Sequence, residues 1–274
     1  MTINCQGKLI ALTSPKIMGI LNITPDSFYD GGNYQSNKAV LQQTALMLEQ
    51  GATFIDIGAY SSRPGATAIT EKEEIARIAP MVGAILKEFP EALLSIDTFN
   101  STVADTCLDM GAHIINDISG GAADENMYAV VAKYRAPYVM MHMRGTPETM
   151  QEQTQYKHLV TDILYYFSER IGLARDAGIQ DIIIDPGFGF AKNRAQNYQL
   201  LQQLHLFKTL DLPLLAGLSR KSMIYKVLQT NASEALNGTT VLNTFALSKG
   251  ANILRVHDVK EAVECVQLMK HIQP

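Results

Sequence analysis

Eight short apolar runs recur along this chain, and most of them stop abruptly on a polar residue. They cover residues 17–22, 53–58, 93–97, 113–117, 138–142, 182–185, 214–218 and 253–257. Each has the length of a strand, and each is apolar at consecutive rather than alternate positions, the pattern of a strand buried on both faces. Between them lie segments with helical spacing: 37–50, 70–89, 101–110, 156–177, 193–207, 220–229, 233–249 and 259–271. Gly51, Gly111 and Gly178 stand where helices end, and Thr70-Glu-Lys-Glu73 has the spacing of a capping box.

Strand and helix alternating in this way predict a parallel sheet with right-handed crossovers. Eight repeats predict that the sheet closes, so the expected class is α/β, a single (β/α)8 TIM barrel spanning residues 1–274 as one domain. A doubly wound sheet is disfavoured, because neither a GxGxxG nor a Walker A pattern follows the first run. The net charge of −4 argues against a nucleic-acid partner and confines any anion site to a local cluster. Cys5, Cys107 and Cys265 are few, distant and odd in number, which suits neither a disulfide framework nor a zinc site. The start of the chain lacks the pattern of a signal peptide, and no apolar stretch reaches the ~20 residues that cross a bilayer. A cytoplasmic protein without a membrane partner is expected.

In a barrel all strand C-terminal ends meet at one rim, where the chemistry is found. That places Asn22, the loop of Ser62 and Arg63, Asp97, Asn116, His142, Asp185, Lys221, Arg255 and His257 around one opening. Asp97 and Asp185 have two readings: helix caps, or a set with Asn116 that grips the N–C–N edge of a flat heterocycle. Arg255 and His257 are spaced to share one strand face, and Lys221 precedes a helix, so the last two loops read as an anion site or as a solvated basic turn. His142 reads either as a satisfied core residue or as a ligand, and Phe188 and Phe190 either as packing or as a stacking wall. Met140, Met141 and Met143 read first as core filling. Gly31-Gly32, beside Phe28 and Tyr29, reads as a turn or as the hinge of a lid.

Taken in order, these segments resemble the dihydropteroate synthase family. The pieces are Met18-Gly-Ile-Leu-Asn-Ile-Thr-Pro-Asp-Ser-Phe28, Asp56-Ile-Gly with Ser61-Ser-Arg-Pro-Gly65, Ser95-Ile-Asp-Thr98, Ile115-Asn-Asp117, His142-Met-Arg-Gly-Thr-Pro147, Asp185-Pro-Gly-Phe-Gly-Phe190, Ser219-Arg-Lys-Ser222 and Arg255-Val-His-Asp258. The resemblance implies a homodimeric, Mg²⁺-dependent barrel. It would join p-aminobenzoate to 6-hydroxymethyl-7,8-dihydropterin pyrophosphate, giving 7,8-dihydropteroate and pyrophosphate.

It further implies that Asp97, Asn116, Asp185 and Lys221 hold the pterin, with Met140 and Phe190 lining that pocket. Asn22 would be the magnesium ligand and a pyrophosphate contact, together with Ser62, Arg255 and His257. Phe28, Ser62, Arg63, Pro64 and Ser222 would form the p-aminobenzoate end, the site that sulfonamides occupy. Asp97, Asp185, Lys221 and Arg255 would be catalytic. Tyr60 departs from the acidic residue common in the family at that position. Competing readings are a pterin-binding methyltransferase serving a corrinoid protein, a non-enzymatic pterin binder, and a phosphosugar aldolase or isomerase on the same barrel.

Overall fold

A computed structural model describes residues 1–23, 34–60 and 69–272. The chain opens with an antiparallel hairpin, β1 (Thr2–Cys5) and β2 (Lys8–Ala11). Its two-residue turn, Gln6-Gly7, has positive φ at both positions, 51° and 91°, as a tight hairpin of matching twist requires. This hairpin was not expected from the sequence.

Eight parallel strands follow: β3 (Lys16–Asn22), β4 (Phe54–Gly58), β5 (Leu93–Asp97), β6 (Ile114–Asp117), β7 (Tyr138–Met141), β8 (Ile182–Asp185), β9 (Leu215–Ala216) and β10 (Ile253–Val256). Each pairs with its neighbour in sequence from β3 to β8, and β10 joins β3 to β9. A parallel bridge between Ile184 and Leu214 brings the two ends of the sheet together. The predicted (β/α)8 barrel is therefore the fold, and every predicted strand lies within two residues of an observed one at each end.

The helices are α1 (Tyr34–Glu49), α2 (Glu71–Glu88), α3 (Ser101–Asp109), α4 (Met127–Tyr134), α5 (Leu159–Asp176), α6 (Arg194–Gln202), α7 (Ser222–Tyr225), α8 (Leu236–Ser248) and α9 (Val259–Ile272). The Thr70 box forms as read: Thr70 Oγ1 accepts from the Glu73 N–H, and the Glu73 carboxylate accepts from the Thr70 N–H. Two predicted helices shrink. The segment 220–229 holds only the single turn α7, because Arg220 is left-handed at φ 54° and Lys221 is extended. The segment 193–207 leaves α geometry after Gln202 and continues as a 3₁₀ helix, Leu204–Leu210. Helix α4, short and mostly apolar, was not predicted.

Strand alternation divides the core in two. Outward side chains such as Ile55, Ile57, Leu94, Ile96, Ile115, Ile184 and Leu254 pack against the helices. Inward ones form a separate apolar cluster to which every barrel strand gives one residue: Met18, Phe54, Leu93, Ile114, Val139, Ile183, Leu215 and Ile253. Ile3, Cys5 and Leu12 of the N-terminal segment complete that cluster, so the hairpin plugs the bottom of the barrel.

Candidate active site

Two residues beyond the apolar ring, each strand turns a side chain inward again. This second ring comprises Ile20, Asp56, Ser95, Asn116, Met141, Asp185, Gly217 and Arg255. It is predominantly polar, and its central member is Asp56, fully buried. Strand register sets Asp56 beside Ser95, whose hydroxyl donates to Asp56 Oδ1 at 2.6 Å. Asp56 Oδ2 accepts from Asn116 Nδ2 at 3.0 Å and from Arg255 Nε at 2.6 Å. The Arg255 guanidinium also reaches the next ring, where Nη2 donates to Asp97 Oδ2 at 2.5 Å. One arginine thus ties together two acids on neighbouring strands.

The electrostatics follow from that crowding. Burial pushes the Asp97 carboxyl up, to about 7; Arg255 pulls it down, and the nearby Asp56 pushes it up further. Burial opposes the charge on Arg255, yet Asp56 and Asp97 outweigh it and hold the guanidinium above the usual arginine range. Across the mouth, burial raises Asp185 against the opposing pull of Lys221 and of the Gly187 N–H, which donates to Asp185 Oδ1 at 2.8 Å. Lys221 is lowered to about 8, first by burial, with Asp185 acting the other way. Its ammonium donates to the Phe188 carbonyl and sits 4.8 Å above the Phe190 ring. A Cβ at Gly217 would lie 3.9 Å from both Asp185 Oδ2 and Lys221 Nζ, an ordinary contact that sets Gly217 beside both groups.

Among the described residues, nothing donates to Asp97 Oδ1 or Asp185 Oδ2. Each acid thus keeps one oxygen without a donor among these residues. Phe188 is completely buried and belongs to the core, whereas Phe190 stands beside Lys221. His257 follows β10, with its Nδ1 3.0 Å from Ser219 Oγ, which also accepts the His257 N–H at 3.1 Å. Arg220 turns away from the mouth and binds Asp258 with two donors, at 2.9 and 2.7 Å. Ser222, at the first turn of α7, is exposed. Asn22 closes β3 and is half-buried, with no partner for its side chain among the described residues. Phe28, Ser62, Arg63 and Pro64 lie outside the described residues.

One predicted pocket residue is corrected. Met140 is fully buried in the layer between strands and helices, not inside the barrel. Val139 faces inward, so alternation sends Met140 out and Met141 in. Met141 Cγ lies 3.3 Å from where a Cβ on Gly187 would stand, on the side of the Asp185 loop. A one-residue slip in reading a strand exchanges its faces, and nothing in the apolar run 138–141 marks which face is which. Asp56 was also not predicted as a site residue, because it sits inside an apolar run rather than at its end. An acid within such a run is itself a signal, since an ionised group there needs partners. His142 is a satisfied core residue: it is buried, and its Nδ1 lies 3.0 Å from Lys192 Nζ.

Buried acids interleaved with an arginine and a lysine at the mouth of a (β/α)8 barrel define a class of enzyme that takes a polar guest at that end. The family model described as pterin binding enzyme matches residues 18–257. The chain belongs to that family, and within it to the dihydropteroate synthases, which are transferases. It is 42% identical over 272 residues to the dihydropteroate synthase of Escherichia coli (strain K12), covering 98% of this chain and 96% of that protein. Against the Synechocystis enzyme of the same name the identity is 45% over 247 residues, covering 89% of this chain and 85% of the other. The Yersinia pestis dihydropteroate synthase, solved as a sulfonamide drug complex, superposes with a TM-score of 0.93 at 41% identity, covering 100% of this chain and 99% of that one. The Xanthomonas albilineans enzyme, solved with 4-aminobenzoic acid, gives 0.92 at 36% identity, covering 99% and 98%.

Proposed function

We propose that this mouth condenses 6-hydroxymethyl-7,8-dihydropterin pyrophosphate with p-aminobenzoate, releasing pyrophosphate and 7,8-dihydropteroate. The carrying observation is the second inward ring, where Asp56, Ser95, Asn116 and Arg255 form a bonded polar network in place of further apolar core. The open oxygens of Asp97 and Asp185 accept from the N–H groups of the pterin edge, and Asn116 and Met141 line the same pocket. Phe190 and Lys221 cover one face of the ring. The bond from the exocyclic methylene to the pyrophosphate oxygen breaks, and its electron pair leaves with the pyrophosphate. Asp97 and Asp185 favour the positive charge that spreads over the pterin. The amine of p-aminobenzoate supplies the new C–N pair and gives up a proton.

Arg255 and His257, with Ser62, receive the departing charge. Phe28, Ser62, Arg63, Pro64 and Ser222 form the p-aminobenzoate end.

The family resemblance implies magnesium, and the donor set fits a lightly held ion. Among the described residues no group of three or more His, Cys, Asp or Glu could cage a metal. Mg²⁺ bound chiefly through substrate phosphates and water needs only one or two protein oxygens. The amide of Asn22, without a partner among the described residues, supplies one. Bound there, the ion would neutralise charge on the pyrophosphate.

The chain acts as one domain, and we assign it to a homodimer in the cytoplasm. Exposed Val241 and Phe245 on α8, with Leu268 and Ile272 on the adjoining α9, support association. Sedimentation showing only monomer at micromolar concentration would remove the dimer. Three buried, unpaired thiols are compatible with a reducing compartment, and none of the described helices is long and apolar enough to cross a membrane.

The deciding experiment supplies purified protein with the pyrophosphate ester, p-aminobenzoate and Mg²⁺. Dihydropteroate and pyrophosphate are expected in equal amounts, with loss of activity on chelation and competition by sulfonamides at the p-aminobenzoate site. Absence of product sinks the proposed reaction; activity that survives chelation removes the magnesium assignment alone.

A further inference from the structure

Lys192 is buried, at 3% exposure, yet among the described residues no carboxylate pairs with it. Its ammonium meets three acceptors instead: His142 Nδ1 at 3.0 Å, the Gly187 carbonyl at 3.0 Å and the Phe190 carbonyl at 2.9 Å. Burial pushes the Lys192 ammonium well below the usual lysine range, with Asp185 acting the other way, and only its protonated form, with three N–H donors, saturates all three acceptors. Packing alone does not ask for it, since an apolar side chain of similar length would fill the space without burying a charge.

The two carbonyls belong to the loop 186–192, which carries Phe190 and follows Asp185. That loop curls through left-handed conformations at Gly187, Gly189 and Ala191, with φ of 72°, 84° and 48°. Ala191 holds this conformation without the freedom of glycine, which costs free energy unless the surroundings enforce it. Lys192 joins both ends of the curl. On its other side it contacts His142, whose N–H donates to the Asp185 carbonyl at 2.9 Å and whose ring meets Tyr166 edge-on at 4.9 Å. Gly187 is pressed so closely against the His142 carbonyl that a Cβ there would stand 2.2 Å away.

Gly187 is the link to the site. Its carbonyl accepts from Lys192, while its N–H donates to Asp185 Oδ1. The front of the same loop accepts from Lys221 through the Phe188 carbonyl.

We infer that Lys192, seated on His142, is a positioning residue for the pterin half of the site, holding Asp185 and Phe190 from behind without touching substrate. The inference rests on the assignment of Asp185 and Phe190 to the pterin pocket. Burial, followed by the charges of Lys192 and Arg144, keeps the His142 imidazole neutral, as an acceptor at Nδ1 must be.

The test is Lys192→Met, which keeps chain length and removes every donor. Pterin affinity is measured by calorimetry with 6-hydroxymethylpterin, and KM is measured for both substrates. A selective loss is expected: pterin affinity and the KM for its pyrophosphate ester weaken about tenfold or more, as loss of buried hydrogen bonds gives. The KM for p-aminobenzoate should stay within about twofold, a smaller change than one lost hydrogen bond would produce. Equal weakening for both substrates, or unchanged pterin affinity in the folded variant, overturns the inference. Should Lys192→Met fail to fold, His142→Leu decides on the same selectivity. Wild-type protein that binds no pterin would bring down the pocket assignment and this inference together; wild-type binding with an unaffected variant brings down only the inference.

Discussion

The two ends of the barrel are built from the same eight strands, one alternation apart, and their physics is opposite. At the bottom, eight inward side chains and Ile3, Cys5 and Leu12 of the N-terminal segment form an apolar plug. One step higher, Asp56, Ser95, Asn116, Asp185 and Arg255 stand where the next apolar layer would be. The bottom is favourable by burial alone. The mouth is tolerable only while its charges stay paired, because a buried ion stripped of its partner is strongly unfavourable. Stability is concentrated at one end, and readiness to bind a polar guest at the other.

The sharpest way to break this contrast is Arg255→Ala. Turnover should fall ~100-fold or more, the loss typical when a charge-stabilising group is removed. Unfolding stability should also fall, by about 3–5 kcal/mol, because Asp56 and Asp97 lose their shared cation. Denaturant melts beside steady-state rates check both, and near-normal turnover in folded protein would contradict the assignment.

Phe54→Ala probes the other end. It should cost about 3–5 kcal/mol of stability, as large cavities do, while pterin affinity measured below the melting range stays unchanged. A loss of affinity would mean that the two ends are mechanically coupled.

A pH titration sharpens the comparison from the mouth alone. Asp97 is raised to about 7, so it protonates as pH falls through that value. The protonated acid binds the Arg255 guanidinium and the pterin N–H edge less well, so pterin affinity should decline from pH 8 towards pH 6. Calorimetry on Asp97→Asn should show weak binding with that slope removed. An unchanged slope would assign it to another group.

The smallest effect lies at the exposed start of α2, outside the polar ring. Thr70→Ala removes the cap of α2 and should lower stability by about 1 kcal/mol without altering KM. A changed KM would tie α2 to the site.

Most of the fold was legible because its signals are local and repeat. Apolar runs of strand length and the Thr70 box depend only on neighbours in sequence. The opening hairpin was missed because its strands are short and half polar, and only the barrel bottom beneath gives Ile3 and Leu12 something to bury against. Helix α4 was missed because it is short and mostly apolar, and a short apolar run does not distinguish helix from buried strand. In the site, strand ends such as Asp97, Asp185 and Asn22 were readable. Asp56 is hidden within a run, and nothing in the sequence separates Met140 from its inward neighbour Met141, because consecutive apolar residues do not declare a face.

The amino-acid sequence by itself determined the number and order of the βα units and which polar residues end the strands, since both follow from local pattern. The tertiary structure alone decided which side of each strand faces the barrel and that Arg255 divides its donors between Asp56 and Asp97. It also decided that Lys192 braces the Asp185 loop from behind. These are contacts between residues far apart in sequence, and they come into being only when the sheet closes and fixes the register of one strand against the next.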